Sequence, residues 1–237
     1  MRSPATIAAA LLTCFASAAC GPQSTEVSGA QSAYAQSATP RSTPAASHPR
    51  PVAEGSRYDY YILNLSWSPE FCYSHPTSEE CPSHPGFVVH GLWPERNDGS
   101  YPEHCGDRPG PSDDYVWAGL MPTSYLAMHE WQTQGTCTPY AANDYFGLVR
   151  RAVESVKIPK EFTHTTQQIM EPPDAIIAAF ARINTSFPDG GIVLSCGNNR
   201  LTAMEFCFDK GLSPIACSGL RTCRANNVKI TPQTGGE

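Results

Sequence analysis

The 237-residue chain predicts an α+β domain: a central, mainly antiparallel sheet flanked by helices and tied by four disulfides. Three observations carry this. Segments with strand and helix patterns do not alternate strictly, which disfavours a doubly wound sheet. Two strand-like runs near the C-terminus are joined by a short turn. Eight cysteines follow an export-type leader, and an even set in an exported domain reads as a disulfide framework.

The elements follow in order. Tyr58 to Trp67 (YDYYILNLSW) is rich in aromatic and branched residues and predicts a buried strand. Phe87 to His90 predicts a second strand that ends at the Gly91 turn, placing His90 at a strand end. Glu95 to Gly110 predicts a loop, with Asn97-Asp98-Gly99 as a turn signal. Ser124 to about Gln134 suits a helix stopped by Gly135. Asn143 to Val156 suits another, with Asn143 as N-cap and Phe146, Val149, Ala152, Val153 and Val156 on one face. Pro172-Pro173-Asp174 starts a third, running through Ile183. Gly191 to Cys196 and Leu201 to Phe208 predict a strand pair across the Gly197-Asn198-Asn199-Arg200 turn. Trp67, Trp117 and Trp131 are expected in the core.

The chain divides into a leader at 1–20, a tether at 21–56, a folded domain at 57–230 and a tail at 231–237. Arg2 and the apolar run Ile7–Phe15 are too short to span a membrane and read as a signal peptide. Two endings compete. Cleavage after Ala16-Ser17-Ala18 releases a soluble protein. Alternatively, Ser17-Ala18-Ala19-Cys20-Gly21 resembles a bacterial lipoprotein box with Cys20 lipidated, although Ser17 stands where that box usually has Leu. Residues 21–56 are Ser, Ala, Pro, Gln and Thr with almost no large apolar side chains, which predicts a disordered tether and favours the lipidated ending. The expected location is therefore exported: periplasmic or tethered to the outer membrane, or else secreted.

Net charge is −6, which excludes a protein that holds nucleic acid through its overall field. Cysteines outside the leader are Cys72, Cys81, Cys105, Cys137, Cys196, Cys207, Cys217 and Cys223; no CxxC pairs with a second, which disfavours a metal site. His-Glu at 129–130 lacks the His at 133 that a zinc protease needs. His75, His84, His104 and His164 lie in polar, Pro-rich or Cys-rich loops and are expected to be solvated. No cofactor or metal is expected, and the chain is expected to be a monomer.

Two segments carry the chemistry: FVVHGLWPE at 87–95 and MHEWQTQGTC at 128–137. Metal-free cleavage of RNA needs groups that exchange protons near neutrality, which means His, and donors that stabilise a phosphorane. On a helix, His129 lies one turn from Thr133 and Glu130 one turn from Gln134, so several polar groups can meet one phosphate. With NDGSYPEHC and LSCGNNRLTAMEFCF, these segments resemble the ribonuclease T2 family of secreted acid ribonucleases over about 57–228.

The resemblance implies the T2 fold and metal-free transesterification of single-stranded RNA through 2′,3′-cyclic phosphates. It makes His90 a catalytic His, with Glu130 stabilising the transition state and His129 touching phosphate. It implies base stacking on Trp93 and Tyr101, base reading by Glu95, and disulfides Cys72–Cys81, Cys105–Cys137, Cys196–Cys223 and Cys207–Cys217. Two positions depart from the family pattern, which has Lys-His where this chain has Thr133-Gln134. Gln carries no ionisable proton, and loss of a positioned general acid costs about 10²–10⁴ in rate. Three readings follow: a slowed endoribonuclease, with His129 taking part in the acid role; a catalytically inactive RNA- or nucleotide-binding domain; and a surface module without an RNA role. The retained Trp93, Tyr101, His129 and Glu130 argue against the third.

Overall fold

The structure, a computed structural model, describes residues 57–83 and 85–233. The leader with Cys20, the tether, His84 and residues 234–237 of the tail lie outside the described residues. Among the described residues four α-helices, α1 (Ser68–Ser74), α2 (Ser124–Thr133), α3 (Ala142–Glu154) and α4 (Pro173–Ile183), accompany six strands. These are β1 (Tyr60–Trp67), β2 (Phe87–Glu95), β3 (Ile169–Glu171), β4 (Ile192–Gly197), β5 (Arg200–Phe208) and β6 (Val228–Ile230). The sheet runs β2-β1-β5-β6-β3, with β4 also paired to β5. Every pairing is antiparallel except β5 with β6, which meet in parallel at Arg200 and Lys229.

Side chains of a strand alternate between faces, and β1 uses both. Tyr61, Leu63, Leu65 and Trp67 enter the main core with Leu92, Met204, Phe206 and Phe208. Phe146 and Val149 of α3, and Ile176 and Phe180 of α4, close over that face. The alternate residues Tyr60 and Ile62 form a smaller cluster with Cys207, against which Trp93, Ile215, Cys217 and Leu220 pack. Farther along the same face, β1 carries Asn64 and Ser66, and the covering becomes polar.

The four disulfides are Cys72–Cys81, Cys105–Cys137, Cys196–Cys223 and Cys207–Cys217, the pairing that the resemblance implies. Asn198 and Asn199 take left-handed φ of 50° and 59°, as a two-residue hairpin between β4 and β5 requires. Trp67 and Trp131 are fully buried, and Trp117 packs partly buried against the core.

Three expectations are corrected. β2 does not stop at Gly91 but continues to Glu95, so Glu95 is its last residue rather than the start of the loop. As an edge strand it can carry Pro94 without losing a ladder bond on both sides. α3 begins one residue earlier, at Ala142, with Ala141 as N-cap, and ends at Glu154. Asn143 is inside the helix, and its amide instead bonds the Ser112 backbone N–H at 3.2 Å and the Ser112 hydroxyl at 3.0 Å. The short elements α1, β3 and β6 were not expected from the sequence.

Candidate active site

The register of β1 against β2 slips between Asn64 and Leu65: Asn64 faces Gly91 while Leu65 faces Val89. His90 is therefore the extra residue of a β-bulge. Bulges bend the strand and re-aim the side chain they carry. His90 turns to the polar face of the sheet, where 38% of its side chain stays exposed.

α2 packs against β2. Thr123 caps it, its hydroxyl accepting the Leu126 N–H at 3.1 Å. Ala127 and Trp131 anchor it in the core, which turns Glu130 toward His90. Glu130 is 2% exposed, a buried carboxylate that needs partners to remain charged. It has two: His90 Nε2 stands 3.3 Å from Oε1, and Trp93 Nε1–H donates to Oε2 at 2.8 Å. The Trp93 ring meets the His90 ring edge-on with centroids 5.5 Å apart.

Gly91 makes this approach possible. A Cβ there would sit 2.1 Å from Glu130 Oε2 and 2.6 Å from Trp93 Nε1, so only glycine leaves room for the carboxylate. The C-terminal end of α2 is held by Arg108, which donates to the carbonyls of Gly135, Thr138 and Tyr140 at 2.8–2.9 Å and lies over the Trp131 ring. Cys105–Cys137 ties the same loop. Tyr145 of α3 donates to the Leu92 carbonyl at 3.0 Å, fixing β2 from beneath; burial, and then the charge of Glu130, push its phenol well above the usual range.

Behind His90 runs a chain of polar side chains. His90 Nδ1 lies 3.0 Å from Ser66 Oγ, Ser66 Oγ donates to Asn64 Oδ1 at 3.1 Å, and Asn64 Nδ2 donates to Glu205 Oε1 at 3.1 Å. Asn64 and Glu205 face each other across β1 and β5 and are both buried. The sequence reading missed these three residues. A signal was available for two of them: Asn64 and Ser66, polar residues two apart in an otherwise apolar strand, share one face.

The structure thus joins His90, Glu130 and Trp93 in direct contact. Thr133 and Gln134 follow Glu130 at the end of α2, and Thr133 Oγ1 and Gln134 Oε1 are buried without a hydrogen-bond partner. Leaving such an atom unpaired costs about 1–3 kcal/mol. His129 is exposed, its ring parallel to that of Tyr125 at 6.4 Å. Tyr101 is exposed in the loop after β2. Glu95 is buried on the polar face near Tyr60 and Glu205. Burial first, then the charge of Glu205, push its carboxyl up to about 7 against the opposing pull of Arg96. His75, His104 and His164 are exposed as expected. Among the described residues no cluster of three His, Cys, Asp or Glu could hold a metal ion, and no helix is long and apolar enough to cross a membrane.

Comparison with known proteins shows the fold and the family. The chain is 41% identical over 97 residues to a ribonuclease of Aeromonas hydrophila, covering 40% of this chain and 45% of that protein. It is 28% identical over 204 residues to ribonuclease DdI of Dictyostelium discoideum, covering 75% and 86%. Among solved structures, an RNase-related protein from Calystegia sepium shares the fold with a TM-score of 0.60 at 21% identity, over 74% of this chain and 98% of that one. A variant of RNase MC1 in complex with 5′-UMP does so with a TM-score of 0.58 at 20% identity, over 73% and 98%. The model of the Ribonuclease T2 family matches residues 58–217, and the chain belongs to that family.

Proposed function

We propose that the chain is an endoribonuclease that cleaves single-stranded RNA by metal-free transesterification, leaving 2′,3′-cyclic phosphates. The observation that carries this reading is the contact of His90 with Glu130 on the bulge of β2. An imidazole backed by a buried carboxylate and open to solvent on one side can pass a proton to a reacting oxygen. In this reading His90 takes the 2′-hydroxyl proton as that oxygen attacks phosphorus, and protonated His129 gives one to the 5′-oxygen as its bond to phosphorus breaks. Glu130 holds the imidazole in place and, when protonated, can donate to a phosphate oxygen. His129, exposed one residue before Glu130, supplies positive charge to the phosphate. Gln134 and Thr133 contribute hydrogen bonds only: the Gln134 amide can bond the leaving oxygen or a phosphate oxygen but has no ionisable proton to give it. The reaction is therefore slower than with an imidazole at that position.

Trp93 and Tyr101 offer aromatic surface for bases, and Glu95 is assigned to base reading. RNase MC1 and RNase NT, which share the fold, have been solved with 5′-UMP and 5′-AMP, which supports a nucleotide site on this scaffold. The four disulfides support an oxidising, extracytoplasmic location. Anchoring through a lipid on Cys20 would be shown by incorporation of labelled fatty acid in the host and refuted by its absence.

A second reading is favoured by one observation. Gln134 carries no ionisable proton, so the site could bind RNA or nucleotides without cutting. Cleavage of a fluorescent single-stranded RNA in chelator, by wild type and Gln134→His side by side, separates the two. Slow cleavage by wild type supports the enzyme. A silent wild type with an active Gln134→His supports the binding domain, and silence from both overturns the ribonuclease reading.

A further inference from the structure

We propose that Glu205, Asn64 and Ser66 form a one-way hydrogen-bond chain that fixes His90 as its Nδ1–H tautomer and directs Nε2 to the Glu130 side. These are positioning residues. The inference deepens the reading of His90 as the proton-transfer group and rests on it for its catalytic meaning, though not for its geometry.

The direction of the chain follows from what each group can donate. An ionised carboxylate only accepts. Glu205 Oε1 therefore requires the Asn64 amide to turn its Nδ2–H₂ outward, as the 3.1 Å contact shows. That leaves Asn64 Oδ1 as an acceptor facing Ser66. Ser66 has one hydroxyl proton and commits it to Oδ1 at 3.1 Å. Toward His90 the Ser66 oxygen has only lone pairs, 3.0 Å from Nδ1. Nδ1 must then carry the proton, and a neutral His90 has its lone pair on Nε2.

The other end closes the arrangement. Trp93 Nε1–H occupies Glu130 Oε2, so Oε1 is the oxygen left to face Nε2 at 3.3 Å. Two lone pairs at that distance repel, whereas one proton between them binds both. The chain behind His90 thus assigns the exchangeable proton to the Nε2–Oε1 contact, the side of the ring that is not tied into the sheet. A structural role alone would not need this pairing. One step along the same strands, Ile62 faces Cys207 and packs as an apolar pair. Burying Asn64 and Glu205 there costs desolvation that an apolar pair would avoid.

The test reads the tautomer directly. Ring ¹⁵N chemical shifts of His90 are measured by NMR on the disulfide-bonded domain at alkaline pH, where the ring is neutral and Glu205 ionised. Wild type is expected to show Nδ1–H. Ser66→Ala is expected to shift the population toward Nε2–H, Ser66→Thr to retain Nδ1–H because the hydroxyl is kept, and Glu205→Gln to mix the two because an amide can face Asn64 either way. Against RNA, kcat of Ser66→Ala is expected to fall roughly 10- to 100-fold with KM near wild type. A wild type in the Nε2–H form overturns the proposal without any variant, and so does an unchanged tautomer in a folded Ser66→Ala. If the tautomers behave as expected while no form cuts RNA, the chain stands and the ribonuclease reading falls.

Discussion

The two faces of the sheet are made from the same strands, alternate residue by alternate residue, yet they solve different problems. On one face Tyr61, Leu63, Leu65 and Phe206 pack beneath α3 and α4 with almost nothing polar among them. On the other, Asn64, Ser66, Glu205 and Glu95 are buried or half-buried and must find hydrogen bonds or shed their charge. The first face lowers the free energy of the fold by removing apolar area from water. The second gives up part of that gain to hold one imidazole and one carboxylate in a fixed relation, as functional sites do. Substitutions on the first face should therefore appear as lost stability, and those at the His90–Glu130 contact as lost activity at nearly constant stability.

The largest expected effect lies on the apolar face. Phe180 is fully buried, its ring against those of Phe87, Phe162 and Phe206. Phe180→Ala should destabilise the domain by about 3–5 kcal/mol in denaturant titration. The RNA cleavage rate of the fraction that remains folded should be close to wild type. A large loss of activity in fully folded protein would mean that the two faces are not separable.

The polar face gives the reverse pattern. A methyl group at position 91 collides with Glu130 Oε2 and Trp93 Nε1, so Gly91→Ala must displace the carboxylate or bend β2. The expected result is a cleavage rate lower by about 10²-fold, equivalent to about 2.7 kcal/mol of barrier, with a much smaller change in stability. Wild-type kinetics in Gly91→Ala would show that the Glu130 position does not matter to the reaction.

The smallest effect concerns charge. Burial, reinforced by Glu205, raises Glu95 from 4.5 to about 7, so the folded chain binds that proton more tightly than the unfolded one. The stabilisation is fully present below 4.5 and is lost as pH rises through about 7. Glu95→Gln stays neutral throughout and should flatten the decline in Tm across that window, leaving the variant the more stable form above it. An unchanged slope would assign the pH dependence to another group.

How much of this was legible in the sequence follows the same division. β1 could be read because branched and aromatic residues dominate it, and α4 because Pro173 opens it. The hairpin was legible from Asn198-Asn199. The sequence ends β2 at His90 because Gly91 reads as a turn. The edge position that tolerates Pro94 is a property of the sheet, as is the carboxylate that requires Gly91. α1 is only seven residues long and is tied by Cys72–Cys81 and by the Glu70–Arg200 pair, both long-range or covalent facts. β6 meets β5 at a single register position, too little for local pattern to reveal. In the site, the motifs pointed to His90, Glu130 and Trp93, which the fold brings into contact. They did not point to Asn64, Ser66 and Glu205, whose relation exists only once β1 is paired with both neighbours.

The most direct test of the account is the rate at which purified His90→Ala cleaves single-stranded RNA in chelator, against wild type at equal folded concentration. If His90 on its bulge moves the proton, the variant should be slower by about 10²–10⁴-fold while its thermal unfolding stays close to wild type. Cleavage at the wild-type rate would contradict the account and move the chemistry away from the His90–Glu130 contact.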